Sequence, residues 1–264
     1  MNEDSLTSIL DPLNEGETTV VPATWSQGRA VYGGMVAALA FRRARRVLGS
    51  DVRPARGAHI WFTGPLAPGP VEVKAEIVRA GKSAVSVETR LTQEGQERAN
   101  VRVSFGGDRT SSIKVSAPSP ASLPEVDGFE PMPFMEGAMP DFLRYFDLRW
   151  TEGDYPYSGS DRTHIGGWSR CRLPGATGLE ALALHVDVWP SPAVPMLSTF
   201  APASSMTWTL DILGDVDHLE STEWSRYTAS LEACGNGYGY MTAWNWGSDG
   251  RPLARSSQLI AVYG

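Results

Sequence analysis

The sequence predicts an α+β protein of two tandem repeats, each a long helix wrapped by an antiparallel sheet. Three observations support this fold class. A stretch that favours helix, Met35 to Phe41, is apolar on every side. Segments that alternate apolar and polar residues with period two follow it, which is typical of half-buried strands. The same succession of helix and strands then returns about 150 to 155 residues later, which indicates an internal duplication.

The first helix is expected within Val31 to Gly49. A helix that is apolar all round must be enclosed by other elements, and this run is too short to cross a bilayer. Cations suit the negative end of a helix dipole, and four arginines follow the run: Arg42, Arg43, Arg45 and Arg46. Gly49 fits the position just beyond the helix end.

A pair of glycines, Gly33 and Gly34, precedes this helix. Without side chains they allow another group to approach the N–H groups at the positive helix start. A simple tight turn explains the pair equally well.

Composition limits the classes of function. The chain has 264 residues, 42% of them hydrophobic, enough for one large domain or two small ones. A formal net charge of −7 argues against a nucleic-acid partner. No apolar run resembles a signal peptide or a membrane span, so we expect a cytoplasmic protein without membrane insertion. In that setting Cys171 and Cys234 are expected to be reduced packing residues.

The predicted domains are residues 1–107, a proline-rich linker 108–140 that wraps the surface, and residues 141–264. The strands expected in the first repeat are Thr18–Val21, Ala58–Thr63, Val71–Arg79, Ser83–Thr92 and Arg98–Phe105, with a loop at Trp25–Tyr32. Those in the second are Tyr145–Trp150, Gly167–Leu173, Ser205–Ile212, Trp224–Leu231, Tyr238–Trp246 and Leu253–Tyr263. A capping-box pattern, Thr177 to Glu180, opens the second helix. We expect the two sheets to join into one, and exposed sheet edges to favour a homo-oligomer.

This layout resembles the double hot-dog fold of the type II acyl-CoA thioesterase family. The resemblance is clearest in Val31–Gly34 and His59–Phe62. In that family an Asp, a Thr and a Gln hold the attacking water, and the matching positions here are Asp187, Ser205 and Gln258. The sequence departs from the family pattern twice, since Ser205 replaces the Thr and Thr207 stands where an acid is usual.

The residues themselves also allow non-catalytic alternatives to these roles. Asp187 lies near a predicted helix C-terminus, where the dipole disfavours an anion, and its apolar neighbours would raise its pKa if it were buried. An exposed aspartate that ends a helix is the alternative. Gln258 lies on a mostly apolar strand face and needs a hydrogen-bond partner, which could be purely structural.

The orientation of Ser205 depends on the geometry of its strand. In a straight strand it faces away from Trp208 and therefore away from the core, unless a bulge or twist reverses it. Ser204 and Thr207 are therefore rivals for its place. His59 corresponds to a family position at the substrate, but a core histidine is the alternative.

The resemblance implies hydrolysis of an acyl-CoA thioester without cofactor, metal or covalent intermediate. Asp187 would be the general base, Ser205 and Gln258 would orient the water, and the N–H of Gly34 would polarise the thioester carbonyl. Gly33 and His59 would contact the substrate. A non-catalytic acyl-CoA-binding protein on the same fold is the alternative function. Nucleophile-elbow, zinc-helix and Walker motifs do not occur, and a His185–Asp187 metal pair lacks further ligands nearby.

Overall fold

The computed structural model describes residues 5–51, 53–120 and 124–263. The first repeat contains α1 (Leu6–Leu10), β1 (Thr18–Val21), β2 (Ser26–Gln27), β3 (Ala30–Val31), α2 (Gly33–Val47), β4 (Ala55–Phe62), β5 (Gly69–Ala80), β6 (Ala84–Gln93) and β7 (Gln96–Gly106). The second contains β8 (Phe146–Glu152), β9 (His164–Cys171), α3 (Leu179–Asp187), α4 (Ala193–Met196), β10 (Ala203–Ile212), β11 (Ser225–Gly235), β12 (Tyr238–Gly247) and β13 (Pro252–Val262).

Eleven of these strands form one antiparallel sheet, in the order β1-β5-β6-β7-β4-β10-β13-β12-β11-β9-β8. The order of the first five strands is mirrored by the next five, so that β5, β6 and β7 correspond to β11, β12 and β13. The two halves meet where β4 pairs with β10, with Ile60 opposite Trp208. The α+β double hot-dog architecture and the joined sheet are therefore confirmed.

The sheet curls around two helices that run antiparallel to each other. At the start of α2 the Tyr32 hydroxyl donates to the Leu184 carbonyl of α3 at 2.7 Å. Towards the other end of α2, Arg42 Nε donates to Glu180 Oε1 at 2.6 Å. Every residue from Met35 to Phe41 is buried, as its apolar sequence predicts. The start of one helix consequently lies at the end of the other.

The structure extends one local prediction and corrects another. The arginines at the end of α2 do more than face the helix dipole, because Arg42 also binds Asp11 at 3.0 Å and Arg43 donates to the Leu13 carbonyl at 3.1 Å. They fasten the N-terminal segment to the helix. The capping box does not form, since α3 begins after Gly178, no side chain caps it, and Glu180 pairs with Arg42.

The proline-rich linker covers the outer face of the second repeat. The indole N–H groups of Trp168 and Trp246 donate to the carbonyls of Pro124 and Pro118, at 3.0 and 3.2 Å. The Met132 N–H donates to the Leu148 carbonyl at 2.8 Å. On the first repeat, linker residue Asp108 pairs with the exposed Arg56 of β4 at 2.6 Å. Across the described ranges, no helix combines the length and apolar character that crossing a membrane requires.

Candidate active site

A half-buried carboxylate lies where the two helices meet. Asp187 is the last residue of α3, and its side chain reaches the start of α2. A methyl group added to Gly33 would lie only 2.6 Å from Asp187 Oδ2, so the close approach needs a glycine at this position. The carboxylate thus sits at the negative end of its own helix but against the positive end of the neighbouring one.

A chain of hydrogen bonds joins Asp187 to two neighbouring strands. Gln258 of β13 donates its side-chain N–H to Asp187 Oδ1 at 3.1 Å. Ser205 of β10 donates its hydroxyl to Gln258 Oε1 at 2.6 Å. An ionised carboxylate only accepts hydrogen bonds, which fixes the amide orientation and makes Ser205 the donor. The structure therefore brings together all three polar residues that the sequence singled out.

A β-bulge turns Ser205 towards the interior. Ser205 pairs with Ile260 while Thr207 pairs with the adjacent Leu259, so Met206 is the extra residue. Because of this shift Ser205 shares the inner face with Gln258, as the bulge alternative anticipated. Thr207 points to the outer face, where it lies opposite Trp61, and Ser204 is exposed. Neither rival joins the hydrogen-bonded chain.

Burial dominates the acidity of Asp187. Loss of solvent raises the pKa of the carboxyl from 3.8 to about 7, while hydrogen bonds from Gln258 and from the backbone of Gly34 lower it. This pKa is close to neutrality, where a general base works best. The pKa of this half-buried carboxyl is therefore raised although two hydrogen-bond donors favour its ionised form.

Gly34 is more constrained than the sequence suggests. Its N–H faces the Asp187 carboxylate, so the predicted donor already has a protein partner. A methyl group added to Gly34 would also collide with the Tyr32 ring, which stacks on Phe142 at 4.1 Å between centroids. The glycine is therefore required for packing as well as for access to the N–H, and substitution is expected to affect folding.

His59 does not join this cluster. It lies exposed on the outer face of β4, with Nδ1 3.2 Å from Thr209 Oγ1 and its ring stacked on Trp61. This exposure contradicts the core-histidine interpretation, and the substrate contact of His59 stays a prediction. The side chains that β4 sends inward are its alternate apolar residues, and the period-two rule places His59 opposite to them.

The sequence analysis assigned no role to two aromatic neighbours of Asp187. The phenols of Tyr32 and Tyr227 are buried, and both burial and the charge of Asp187 raise their pKa values. Tyr227 stacks on Trp189 with centroids 5.6 Å apart and planes at 2°. Tyr32 could have been noticed as the residue before the glycine pair, whereas nothing in the pattern of β11 distinguishes Tyr227 from other core residues.

A metal centre has no support from the described residues. No group of three or more His, Cys, Asp and Glu side chains among them has the proximity to hold an ion. His185 is buried, and its Nε2 lies 3.3 Å from the Glu220 carbonyl.

Comparison with known proteins identifies the same family in both halves. A model of the acyl-CoA thioesterase N-terminal domain matches residues 21–106, and a model of the C-terminal domain matches residues 120–262. A search of curated protein sequences found no match.

Solved structures share the fold over almost the whole chain. A protein of unknown function with a hot-dog fold from Alicyclobacillus acidocaldarius has a TM-score of 0.83 at 20% identity, covering 97% of this chain and 98% of its own. A putative thioesterase II from Thermobifida fusca has a TM-score of 0.79 at 19% identity, covering 97% of both chains. The acyl-CoA thioesterase II TesB2 from Mycobacterium marinum has a TM-score of 0.73 at 18% identity, covering 97% of this chain and 98% of its own. The two matching domains show that this chain belongs to the acyl-CoA thioesterase family and is a thioester hydrolase.

Proposed function

We propose that the protein hydrolyses acyl-CoA to a free acid and coenzyme A, with a water molecule activated by Asp187. The observation that carries the proposal is the hydrogen-bonded chain from Ser205 through Gln258 to Asp187, at the start of α2. It combines a basic carboxylate, groups that can orient water, and a helix start with positive character.

In this mechanism Asp187 removes a proton from the water as its oxygen attacks the thioester carbonyl carbon. Gln258 retains a second amide hydrogen for the water oxygen, and the Ser205 oxygen can accept a hydrogen bond from the water. The tetrahedral intermediate then expels the thiolate with cleavage of the C–S bond. The proton held by Asp187 goes to the leaving sulfur, which returns the carboxylate to its ionised form. General-base assistance of this kind contributes ~10²–10⁴-fold.

The N–H of Gly34 has a second role in the proposal. When the thioester carbonyl oxygen accepts this N–H, the developing oxyanion is stabilised by a donor at the helix start. Asp187 loses the same hydrogen bond at that moment. Because this bond lowers the pKa of the carboxyl, its loss makes Asp187 a stronger base when substrate is in place.

The test measures thiol release across an acyl-CoA series and, in parallel, direct binding of the same compounds. Hydrolysis that is lost in Asp187→Asn with binding retained would support the proposal. Binding without thiol release by the parent protein would favour the non-catalytic acyl-CoA-binding alternative. The cytoplasmic location and the homo-oligomer stay predictions, for which fractionation and light scattering are the direct measurements.

A further inference from the structure

We propose that a cleft beside the candidate active site binds the phosphate-bearing nucleotide end of the coenzyme A thioester, with Arg98 and Arg29 as its cations. The cleft has a volume of about 600 Å³ and opens to solvent. Its walls come from the loop after β4, the hairpin between β6 and β7, and the turn between β2 and β3. The inference rests on the proposed function, because it assigns the carrier of the acyl group at that same site.

The two cleft arginines have no ion-pair partner among the described residues, a property that they share with four other arginines of the chain. Most of the arginines in the described ranges form ion pairs, whereas Arg29 and Arg98 make none within those ranges. The Nε of Arg98 is also buried without a hydrogen-bond partner in the protein. An unsatisfied buried donor is costly, and a guanidinium suits phosphate oxygens particularly well. Since this Nε is shielded from solvent, a phosphate in the cleft would bind the terminal guanidinium nitrogens of Arg98, a residue of the cleft wall.

The cleft is preformed by side-chain and backbone hydrogen bonds. The Gln93 amide donates to the carbonyls of Ala67 and Pro70, at 2.9 and 3.1 Å, and accepts from the Ala67 N–H at 2.9 Å. The Arg98 carbonyl accepts from the Thr63 N–H at 3.0 Å. The arginine and the loop that faces it are therefore held together before any ligand arrives, which reduces the entropy cost of binding.

The same segments reach the candidate active site. A methyl group on Gly33 would lie 3.3 Å from the ring of Phe62, the last residue of β4. Pro65 of the cleft follows Phe62 by three residues, a span of at most ~10 Å. On the other wall Arg29 precedes Gly33 by four residues, and the Val31 N–H donates to the Leu66 carbonyl at 2.7 Å. The long pantetheine arm of coenzyme A can cover these distances.

One acidic residue also lines the cleft, and it provides a test of whether the ligand is negatively charged. Glu94 lies at its rim, in the hairpin turn between β6 and β7, and is exposed. A polyanionic ligand would be repelled by this carboxylate and attracted by the arginines. Removing Glu94 should therefore strengthen binding, while removing either arginine should weaken it.

The experiment compares two substrates that carry the same acyl group, one on coenzyme A and one on N-acetylcysteamine, which lacks phosphates. We expect Arg98→Gln to raise KM for the acyl-CoA about tenfold with little change in kcat, and Arg29→Gln to raise it less. KM for the N-acetylcysteamine thioester should not change. Glu94→Gln should lower KM for acyl-CoA only, and all these differences should shrink at high salt.

Arg79→Gln is the matched control, because Arg79 is exposed on β5 and makes no ion pair among the described residues. Equal KM changes for both thioesters in Arg98→Gln and Arg29→Gln would overturn the proposal, as would effects no larger than those of Arg79→Gln. If Arg98→Gln fails to fold, the other two variants test the proposal, because KM for acyl-CoA should rise in Arg29→Gln and fall in Glu94→Gln.

A binding measurement separates this inference from the proposed function. Calorimetric titration with 3′,5′-ADP, the nucleotide end of coenzyme A, needs no turnover. Binding to the parent that weakens in Arg98→Gln would support the cleft even if no acyl-CoA were hydrolysed. Hydrolysis of acyl-CoA with unaltered 3′,5′-ADP binding in both arginine variants would retain the proposed function and reject the cleft.

Discussion

The two repeats share a strand order but differ in what they place inside the sheet. The inward residues in the middle of β7 are the buried valines Val101 and Val103, whereas β13 presents Gln258 in its middle. At this strand the first repeat is therefore apolar, while the second presents a polar side chain to the interior. Both repeats bury polar groups, but Thr89 of the first donates to the Ala40 carbonyl at 3.4 Å, whereas Gln258 of the second joins Ser205 to Asp187.

The two helices also differ between the repeats, in this case in length. The helix α2 continues from Gly33 to Val47, but α3 ends at Asp187, shortly before Pro190. Because the helices are antiparallel, the early end of α3 leaves its last carboxylate against the first turn of α2. The asymmetry between the repeats is thus what creates a single site at their junction.

The largest expected effect tests whether the polar repeat alone supplies the base. Asp187→Asn keeps the shape and can still accept from Gln258, but it cannot take a proton. We expect kcat to fall ~10²-fold or more with substrate binding retained. Asp211→Asn, an exposed aspartate on β10, is the control and should leave kcat unchanged. An active Asp187→Asn would move the chemistry elsewhere in the fold.

The pH dependence sharpens the same assignment. Since burial raises the pKa of Asp187 to about 7, activity should rise roughly tenfold per pH unit below neutrality and level off above it. Stability should move the opposite way. The native state keeps this proton up to about pH 7 and the unfolded state loses it near pH 4, so the contribution of this carboxyl is lost as pH rises between these values. Thermal unfolding should therefore show Asp187→Asn gaining stability over the parent at pH 8 but little at pH 5.

A substitution at the helix start tests the contribution of the first repeat. Gly34→Ala places a methyl group against the buried Tyr32 ring, and overpacking of this kind costs about 1–3 kcal/mol. We expect lower unfolding temperature together with reduced turnover. Gly128→Ala is the control, since nothing lies within 4 Å of the added methyl there. A Gly34→Ala protein with parental stability and turnover would reduce the glycine pair to a simple turn.

The ion pair between the helices tests how firmly the repeats are joined. Glu180→Gln removes the buried charge that pairs with Arg42, which keeps Asp11 and Asn14 as partners. We expect a loss of roughly 2 kcal/mol in the free energy of unfolding, below the ~3–5 for breaking a fully buried pair. Asp217→Asn removes the exposed pair with Arg45 and should cost less than ~1 kcal/mol by denaturant titration. Equal losses would mean that burial of the pair is unimportant.

The smallest expected effect concerns the hydroxyl on the bulged strand. Ser205→Thr keeps a donor for Gln258 and should change kcat less than about twofold, whereas Ser205→Ala should lower it. Gln258→Ala should also lower kcat, and less than Asp187→Asn, because it removes orientation and not the base. The effects should be non-additive, since all three groups act on one water molecule. Additive losses in the double variants would contradict a shared water.

The sequence was sufficient for most of the fold because the periodicity of the strands and the apolar helix are local signals. It also named Asp187, Ser205 and Gln258, whose roles stay predictions, but it could not orient Ser205. A bulge depends on pairing with a neighbouring strand, and no residue type near Met206 indicates a bulge at this position. The capping box failed for a similar reason, since Glu180 found a stronger partner in Arg42 on the other helix. The core-histidine alternative for His59 was wrong because the period-two rule places this side chain on the outer face of its strand.

The linker that wraps the second repeat affects how activity depends on protein concentration. It makes the two repeats one chain, so their effective concentration for each other is fixed however dilute the protein becomes. Asp187 and Gly34, from different repeats, already meet within a single chain. Specific activity should therefore be independent of protein concentration, even across a range in which a homo-oligomer would dissociate.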